Sequence, residues 1–345
     1  MRNKKVIIAM SGGVDSSVAA ALLKGAGFDL TGVFMKLIDA PRFKNGERTA
    51  RKVAKVLQIP FLILDLRREF KKKIIDYFLK ECKEGRTPNP CVVCNRKMKF
   101  DLLLRKTPKL KADFVATGHY IRLKMKEAKP ISLYKGKDKE KDQSYFLWQL
   151  RQTQLKRILF PIGQYTKKEV RLLAKKFKLL VSDFSESQEI CFVPKETNSF
   201  LKKHLKTKPG PTKDPEGNRL GKHQGLWFYT IGQRKGIGLP GGPYYVLEKD
   251  TKKNLLVVTK NEKDLLKKEL IVKKVNWISG KEPKLPLKAV AKIRYRHVGA
   301  SVVIAKILRS TSYILKFTRP QRAITPGQSV VFYKGEELVG GGIIC

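Results

Sequence analysis

Two groups of residues in this sequence have the types and spacing to do chemistry. Ser11, Gly12, Gly13, Val14, Asp15 and Ser16 follow an apolar run, KVIIAM, and precede an Ala- and Leu-rich one, SVAAALLKGAG. A strand, a turn of adjacent glycines and a helix opening on serines aim several backbone N–H groups at a positive helix end, which is a cradle for phosphate. The Walker pattern needs a Lys-Ser/Thr pair after its glycines. Here Val14, Asp15, Ser16 and Ser17 stand instead, which disfavours cleavage of a terminal phosphate. A tight turn capping a structural helix is the plain alternative. The second group is thiols. Cys91 and Cys94 form a C-x-x-C within GRTPNPCVVCN, a spacing shared by redox pairs, zinc sites and iron-sulfur ligation. Cys191, in SESQEICFVPKE, is either a nucleophile or a small buried hydrophobe between Ile190 and Phe192. Cys82, inside a helical pattern, and Cys345, at the chain end, read as incidental.

The rest of the chain must position these groups, and its 345 residues predict more than one domain. With 42% hydrophobic and 30% charged residues and no apolar run near ~18 residues, a membrane role is not expected. Five cysteines are an odd number, and the basic amino terminus lacks a cleavage site, so a disulfide framework is disfavoured and a reducing, cytoplasmic setting expected. Lys and Arg number 74 against 30 Asp and Glu, a formal charge of +44. Such a field attracts polyanions, nucleic acid first among them, although lysines spread over solvated faces would give the same count.

The first hundred residues alternate apolar strands (KVIIAM, LTGVFMKL, FLILDL) with amphipathic helices (SVAAALLKGAG, ERTARKVAKVLQ, REFKKKIIDYFLKECKEG). That alternation predicts an α/β fold with a Rossmann-like parallel sheet, ligands binding at the strands' carboxyl ends. Pro88 and Pro90 predict an exposed loop at RTPNPCVVCNRK, and the C-x-x-C is not expected to open a helix in the thioredoxin manner. After a helix around KFDLLLRK, the strand ADFVATGHY carries Gly118 and His119 to the edge where the glycine turn lies. KMKEAKPISLYKGKDKEKDQ reads as mobile. Thr166 and Glu169 form a capping box opening a helix with Val170, Leu173, Ala174 and Phe177 on one face. From about residue 200, turn signals separate short runs such as LWFYTI, YYVLEK and LLVVT, predicting a small β-rich domain. Beyond about residue 268, strand patterns predict a β-barrel. In AVAKIRYRH, period-two alternation puts Lys292, Arg294 and Arg296 on one strand face, with Tyr295 on the other, a setting for phosphate pairing and base stacking. GQRKGIG, Gly232 to Gly238, offers close backbone approach with Arg234 and Lys235. The expected division is residues 1–198 catalytic, 199–265 central and 266–345 barrel.

SGGVDSS in its strand-turn-helix setting resembles the pyrophosphate loop of the N-type ATP pyrophosphatases, of the adenine nucleotide alpha hydrolase-like fold. The resemblance implies that residues Ala9, Met10, Ser11, Gly12, Gly13, Val14, Asp15 and Ser16 hold ATP, Asp15 helping with magnesium and adenine stacking near Met35. MSGGVDSSVAA, GVFMK, GRTPNPCVVCN, ATGHY, KDQSYFL, SQEICFVP, GQRKGIGL, RYR and TPGQSVVFY, in this order, are together similar to the tRNA-specific 2-thiouridylases along nearly the whole chain. That similarity implies ATP-dependent thiolation of C2 of the wobble uridine in the anticodon stem-loop of tRNAs for lysine, glutamate and glutamine. The O2 oxygen is adenylated and sulfur displaces AMP.

Carried over residue by residue, Cys94 matches the nucleophile and Cys191 the persulfide carrier, with a disulfide between them closing the cycle. Gly118 matches an ATP contact. Asn89, Pro90, Cys91, His119, Lys141, Asp142, Gln143, Arg294, Tyr295 and Gln328 match tRNA contacts. Alternatively, Cys91, Cys94 and Cys191 together hold an iron-sulfur cluster that binds sulfide. The sulfur source is then a donor or relay protein, or free sulfide. The segment LIDAPRFKNGERTARK is shorter and more basic than in many relatives, so no role is transferred to it. Two other readings stay open: a pyrophosphate-loop amide ligase acting on a small metabolite, and a non-catalytic RNA-binding protein.

Overall fold

The computed structural model describes residues 4–106, 108–179, 181, 190–193 and 196–345. Strands β1 (Lys5–Ala9), β2 (Asp29–Lys36) and β3 (Phe61–Asp65) alternate with helices α1 (Val14–Gly25) and α2 (Pro41–Val56). With β4 (Phe114–Ala116) and β7 (Ile158–Leu159) the strands form a parallel sheet ordered β3-β2-β1-β4-β7. Val6, Ile7 and Ile8 of β1 are all buried, as a central strand covered by helices on both faces requires. The order reverses between β1 and β4, which makes their carboxyl ends the crevice of a doubly wound sheet. That crevice holds the glycine turn on one side and Gly118 on the other.

α2 starts at Pro41, several residues before the expected ERTARKVAKVLQ. Proline is tolerated at a first helical position, where no N–H is needed. The same rule corrects the expectation of an exposed loop at RTPNPCVVCNRK. Helix α3 (Arg67–Phe70), a π turn (Lys71–Ile75) and α4 (Asp76–Lys83) lead to α5 (Pro90–Cys94), which runs on through a π stretch (Asn95–Leu102) into α6 (Leu103–Lys106). Pro90 opens α5, and the Asn89 side chain caps it by accepting from the N–H groups of Cys91 at 3.2 Å and Val92 at 3.4 Å. The C-x-x-C therefore does open a helix, and Val92, Val93 and Cys94 are buried.

KMKEAKPISLYKGKDKEKDQ is likewise not a mobile tract throughout. β5 (Ile121–Lys124) and β6 (Ser132–Lys135) pair as a hairpin, anchored by fully buried Ile121 and Leu133. Helix α7 (Gln152–Leu155) precedes β7, and α8 (Lys167–Lys176) begins on the expected capping box: Thr166 Oγ1 accepts from Glu169 N at 3.3 Å while the Glu169 carboxylate accepts from Thr166 N at 2.6 Å. Of the SQEICFVP motif, Ser187, Gln188, Glu189 and Pro194 lie outside the described residues.

After α9 (Thr197–His204), strands β8 (Gly210–Lys213), β9 (Arg219–His223), β10 (Tyr245–Asp250) and β11 (Leu255–Thr259) form a sheet ordered β10-β11-β8-β9. LWFYTI does not join it. Leu226–Phe228 is a 3-10 turn whose Leu226 and Phe228 pack on the core around Phe78 and Cys82. The last six strands are β12 (Leu266–Trp277), β13 (Leu287–Lys292), β14 (Ala300–Lys306), β15 (Tyr313–Arg322), β16 (Ser329–Lys334) and β17 (Glu337–Ile344). They close into a barrel through β12–β17 pairing. β17 also pairs with β6, Leu338 opposite Leu133, so the hairpin of the first domain is hydrogen-bonded into the barrel sheet. β13 stops at Lys292 and His297 N donates to Arg294 O at 3.0 Å, so Arg294 and Arg296 lie on a turn and not on the expected strand face.

Candidate active site

Where β1 ends, Met10 is buried and Gly12 has φ +83, a left-handed conformation suited to glycine. A side chain at Gly12 would also drive into the carbonyl of Gly46, on α2. Conversely, a Cβ at Gly46 would lie 2.6 Å from Ser11 O. The loop is tied internally: Ser11 N donates to Ser16 Oγ at 3.2 Å, and the hydroxyls of Ser16 and Ser17 each donate to Gly13 O at 3.0 Å. Gly118, beyond β4, backs directly on the first turn of α1, where a Cβ would come within 2.7 Å of Ser16 N. Asp15 Oδ1 accepts from Tyr120 Oη at 2.7 Å, and both its carboxylate oxygens accept from Lys167 Nζ, at 2.7 and 2.8 Å.

The thiols form a second group. Cys94 feels the charge of both Cys91 and Cys191, and Cys191 that of Cys91, so all three are electrostatic neighbours; all are free. Burial pushes Cys94 up to about 12 and Cys191 up to about 11, and raises Cys91 as well. Lys99 pulls in the opposite direction on each of the three, and Arg42 of α2 does so on Cys191. Phe192 seats Cys191's segment in an aromatic cluster, its ring 5.9 Å from Phe70, 5.5 Å from Phe78 and 5.3 Å from Phe200. Met35 packs on the same core as Cys94.

An iron-sulfur cluster needs thiolates. Among the described residues no group of three or more His, Cys, Asp or Glu side chains is disposed to hold a metal ion. Cys91, Cys94 and Cys191 as arranged do not fit a cluster.

Two connections join the loop to the thiols. Gly118 touches Asp15 and Ser16, while the next residue, His119, reaches the thiol-bearing helix: its Nε2 lies 3.2 Å from Asn95 Oδ1 and 3.4 Å from Lys99 Nζ. Its Nδ1 meets Thr117 Oγ1 at 2.7 Å. On α2, Arg42 acts on Cys191 and Gly46, one turn on, packs against Ser11. The segment to which no role was transferred is thus a bridge between the two groups.

The expected tRNA contacts divide. Asn89, Pro90 and Cys91 begin α5, and the Asn89 side chain reaches the Tyr145 hydroxyl, which also donates to Ser329 O at 2.8 Å. Tyr295 stacks against Phe146 with ring centroids 4.4 Å apart and neighbours Tyr145, while Arg294 is exposed beside it. Gln328 donates from its amide to Thr87 O at 2.8 Å. Through these contacts they gather around the start of α5. His119 and Asp142 instead point inward: burial, and secondarily Lys99, hold the His119 imidazole well below its usual range. The Asp142 carboxylate accepts from Gly136 N, Ser144 N and Ser144 Oγ. Gln143 Oε1 accepts from Tyr120 N at 3.0 Å, and Lys141 N donates to Asp138 at 3.1 Å. The sequence reading missed Arg42, Gly46, Thr87, Lys99, Tyr120 and Lys167. Thr87 and Tyr120 lie within the motifs GRTPNPCVVCN and ATGHY, and Lys167 within the Thr166–Glu169 capping box; Arg42, Gly46 and Lys99 had no such signal.

An ATP-pyrophosphatase-type α/β domain, a central β-rich unit and a closed six-stranded barrel define the class. The chain matches the families described as tRNA methyl transferase HUP domain over residues 4–195, tRNA methyl transferase PRC-barrel domain over 198–260 and aminomethyltransferase beta-barrel domain over 267–344. It is 47% identical to tRNA-specific 2-thiouridylase MnmA 1 of Caldanaerobacter subterraneus subsp. tengcongensis, covering 99% of this chain and 98% of that protein. It is 45% identical to tRNA-specific 2-thiouridylase MnmA of Carboxydothermus hydrogenoformans, covering 99% and 97%. Among solved structures, the U34-tRNA thiolase NcsA from Methanococcus maripaludis with its 4Fe-4S cluster is 21% identical, with a TM-score of 0.38 over 58% of this chain and 63% of that one. The chain belongs to the tRNA-specific 2-thiouridylase family. Among the described residues no helix is long and apolar enough to cross a membrane.

Proposed function

We propose that this chain is a cytoplasmic tRNA-uridine 2-sulfurtransferase that thiolates the wobble uridine of tRNAs for lysine, glutamate and glutamine at the expense of ATP. The observation that carries the reading is the succession Gly118-His119, one residue against the glycine loop and the next against the helix of Cys94. Adenylation and sulfur delivery then occur within one crevice.

Ser11 to Ser16 present backbone N–H groups to the phosphates, Met35 and Gly118 flank the nucleotide, and uridine O2 attacks the α-phosphorus, releasing pyrophosphate. The carboxylate of Asp15, a hard oxygen donor beside the loop, suits magnesium, which would neutralise phosphate charge. Cys191 carries the incoming sulfur as a persulfide. The Cys94 thiolate attacks the inner sulfur, a Cys94–Cys191 disulfide forms, and the freed sulfide takes C2 as AMP leaves with the C–O electron pair. An external dithiol then reduces the Cys94–Cys191 disulfide to two thiols and is itself oxidised to a disulfide. The persulfide's sulfur comes from a donor or relay protein. The uridine is turned out of its loop to reach the sheet edge, and residues 199–265 and 266–345 grip the stem-loop while 1–198 do the chemistry.

The test is nucleoside mass analysis of tRNA incubated with the protein, ATP and a persulfide donor. Replacement of one oxygen by sulfur in uridine is expected. An added methyl group, or pyrophosphate exchange driven by a free carboxylic acid without tRNA, would overturn the reading.

A further inference from the structure

The two loops expected to grip RNA from outside the catalytic domain meet at one side chain that neither motif contains. Arg322 is the last residue of β15, where the barrel touches the central sheet. Its Nε donates to Glu262 Oε1 at 2.5 Å, on the 3-10 turn Glu262–Leu265 that joins β11 to β12. Its guanidinium carbon lies 5.6 Å from the centre of the Tyr245 ring on β10, and its Nη2 lies 3.5 Å from Gly232 O. Gly232 opens GQRKGIG, and the start of that loop is tied to the same strand: Gly232 N donates to Val246 O at 2.8 Å and Val246 N to Gln233 O at 2.9 Å. On the barrel side, Arg294 of the RYR turn donates from Nη1 to Arg322 O at 3.3 Å.

The approach is close at the main chain as well. Gly232 has φ +83 and Ala323, next to Arg322, has φ +55; a Cβ at Gly232 would come 2.5 Å from that of Ala323. Thr230, two residues before Gly232, brings its hydroxyl 3.4 Å from that of Thr87, in the segment that leads to Asn89 and the thiol helix. Arg234 and Lys235 follow in the loop and are exposed, as is Arg294. The Arg322 and Glu262 side chains are 35% and 54% exposed, and an ion pair that open contributes little to folding. What the guanidinium does instead is hold a spacing. Planar and forked, it meets a carboxylate, a ring face and a carbonyl at once, which the compact ammonium of a lysine does not do.

We infer that Arg322 is a positioning residue for tRNA: it fixes the GQRKGIG loop against the barrel so that Arg234 and Lys235 on one side, and Arg294 on the other, reach phosphates of one stem-loop together. Two basic loops held at the right separation bind as a linked pair, and that advantage is lost when the separation drifts. The inference rests on the tRNA reading above and adds to it a residue that itself touches no RNA.

Affinity for tRNA at one fixed salt concentration tests it, with Arg322→Gln made both in the unaltered chain and in a chain already carrying Arg234→Gln and Lys235→Gln. In the unaltered chain Arg322→Gln should weaken tRNA binding about tenfold, with ATP affinity and the urea midpoint little changed. In the chain that lacks the two basic side chains it should weaken binding less than about twofold, because the loop it positions no longer contributes. Arg322→Lys should not restore binding. An undiminished loss in the second chain, or rescue by lysine, would show a direct phosphate contact and overturn the assignment. A fall in the urea midpoint with equal loss of ATP and tRNA binding would overturn it too, as a merely structural ion pair. If Arg322→Gln does not fold, Glu262→Gln, which releases the guanidinium without removing it, should weaken tRNA binding in the same direction, and no effect there refutes the role. A chain that binds no tRNA at all sinks the tRNA reading together with this inference, whereas tRNA held equally well with and without Arg322 sinks this inference alone.

Discussion

The side-chain amide of Gln328, on the turn entering β16, donates to the main-chain carbonyl of Thr87 at 2.8 Å. Thr87 N in turn donates to Pro326 O at 2.9 Å, and a Cβ on Gly327 would sit 2.9 Å from that of Arg86. The barrel thereby grips the segment that leads into Asn89 and the thiol helix. Gln328→Ala removes one such bond, worth about 0.5–1.5 kcal/mol. Turnover of bound tRNA should fall several-fold with little loss of thermal stability, read as kcat against KM for tRNA.

Cys91 separates two routes for sulfur. Because the thiols as arranged do not suit a metal cluster, Cys91→Ser should keep activity within a few-fold when a persulfide donor is supplied without oxygen. Cys94→Ser and Cys191→Ser should each abolish it. Loss of activity in all three, accompanied by loss of bound iron, would favour the cluster.

Lys99 offsets the burial that keeps the thiols protonated. Lys99→Met should raise their pKa further and slow alkylation at any given pH. Lys99→Arg should preserve the rate. The pH profile of iodoacetamide labelling, resolved by peptide mass analysis, checks this.

His119 gives a pH dependence whose sign follows from its depressed pKa. The unfolded chain protonates this ring around pH 6.5, whereas the folded one, burial opposing the charge most and Lys99 next, does so only well below that. Below about 6.5 the unfolded state therefore binds the extra proton, and stability declines by up to ~1.4 kcal/mol per pH unit until the folded pKa is reached. Above that window the ring contributes no slope. His119→Gln should flatten the fall, seen as the difference in urea midpoint between the two proteins from neutral to mildly acid pH.

Gly46 tests the fit of α2 against the glycine loop. A methyl group there meets Ser11 O at 2.6 Å, and backbone on both sides must shift. Gly46→Ala should weaken ATP binding about tenfold or more, at a stability cost of about 1–3 kcal/mol. Unchanged nucleotide titration would show that the loop yields freely.

Local rules made much of this molecule legible. The alternation of KVIIAM, LTGVFMKL and FLILDL with helical patterns specified a parallel sheet; in central β1 the continuous apolar run reflects burial on both faces, whereas Leu62 and Ile63 of the edge strand β3 stay exposed. The Thr166–Glu169 capping box was readable for the same reason: both partners lie within one turn. Proline misled at Pro90, since its disruptive effect depends on whether a helix needs its N–H, which at a first position it does not. LWFYTI misled because a short apolar run packs as well in a 3-10 turn as in a strand once a core surrounds it.

The chain order alone determined the kinds of chemistry present: a glycine turn for phosphate, a close pair of thiols and a third one far downstream. Which basic residues serve them was settled by folding. Lys99, Arg42 and Lys167 are ordinary members of a lysine- and arginine-rich chain, and only the packing of the π stretch after α5, of α2 and of α8 brings them to the thiols and to Asp15. Electrostatic influence falls with distance through space, and spacing along a backbone carries no record of that distance until the core has formed.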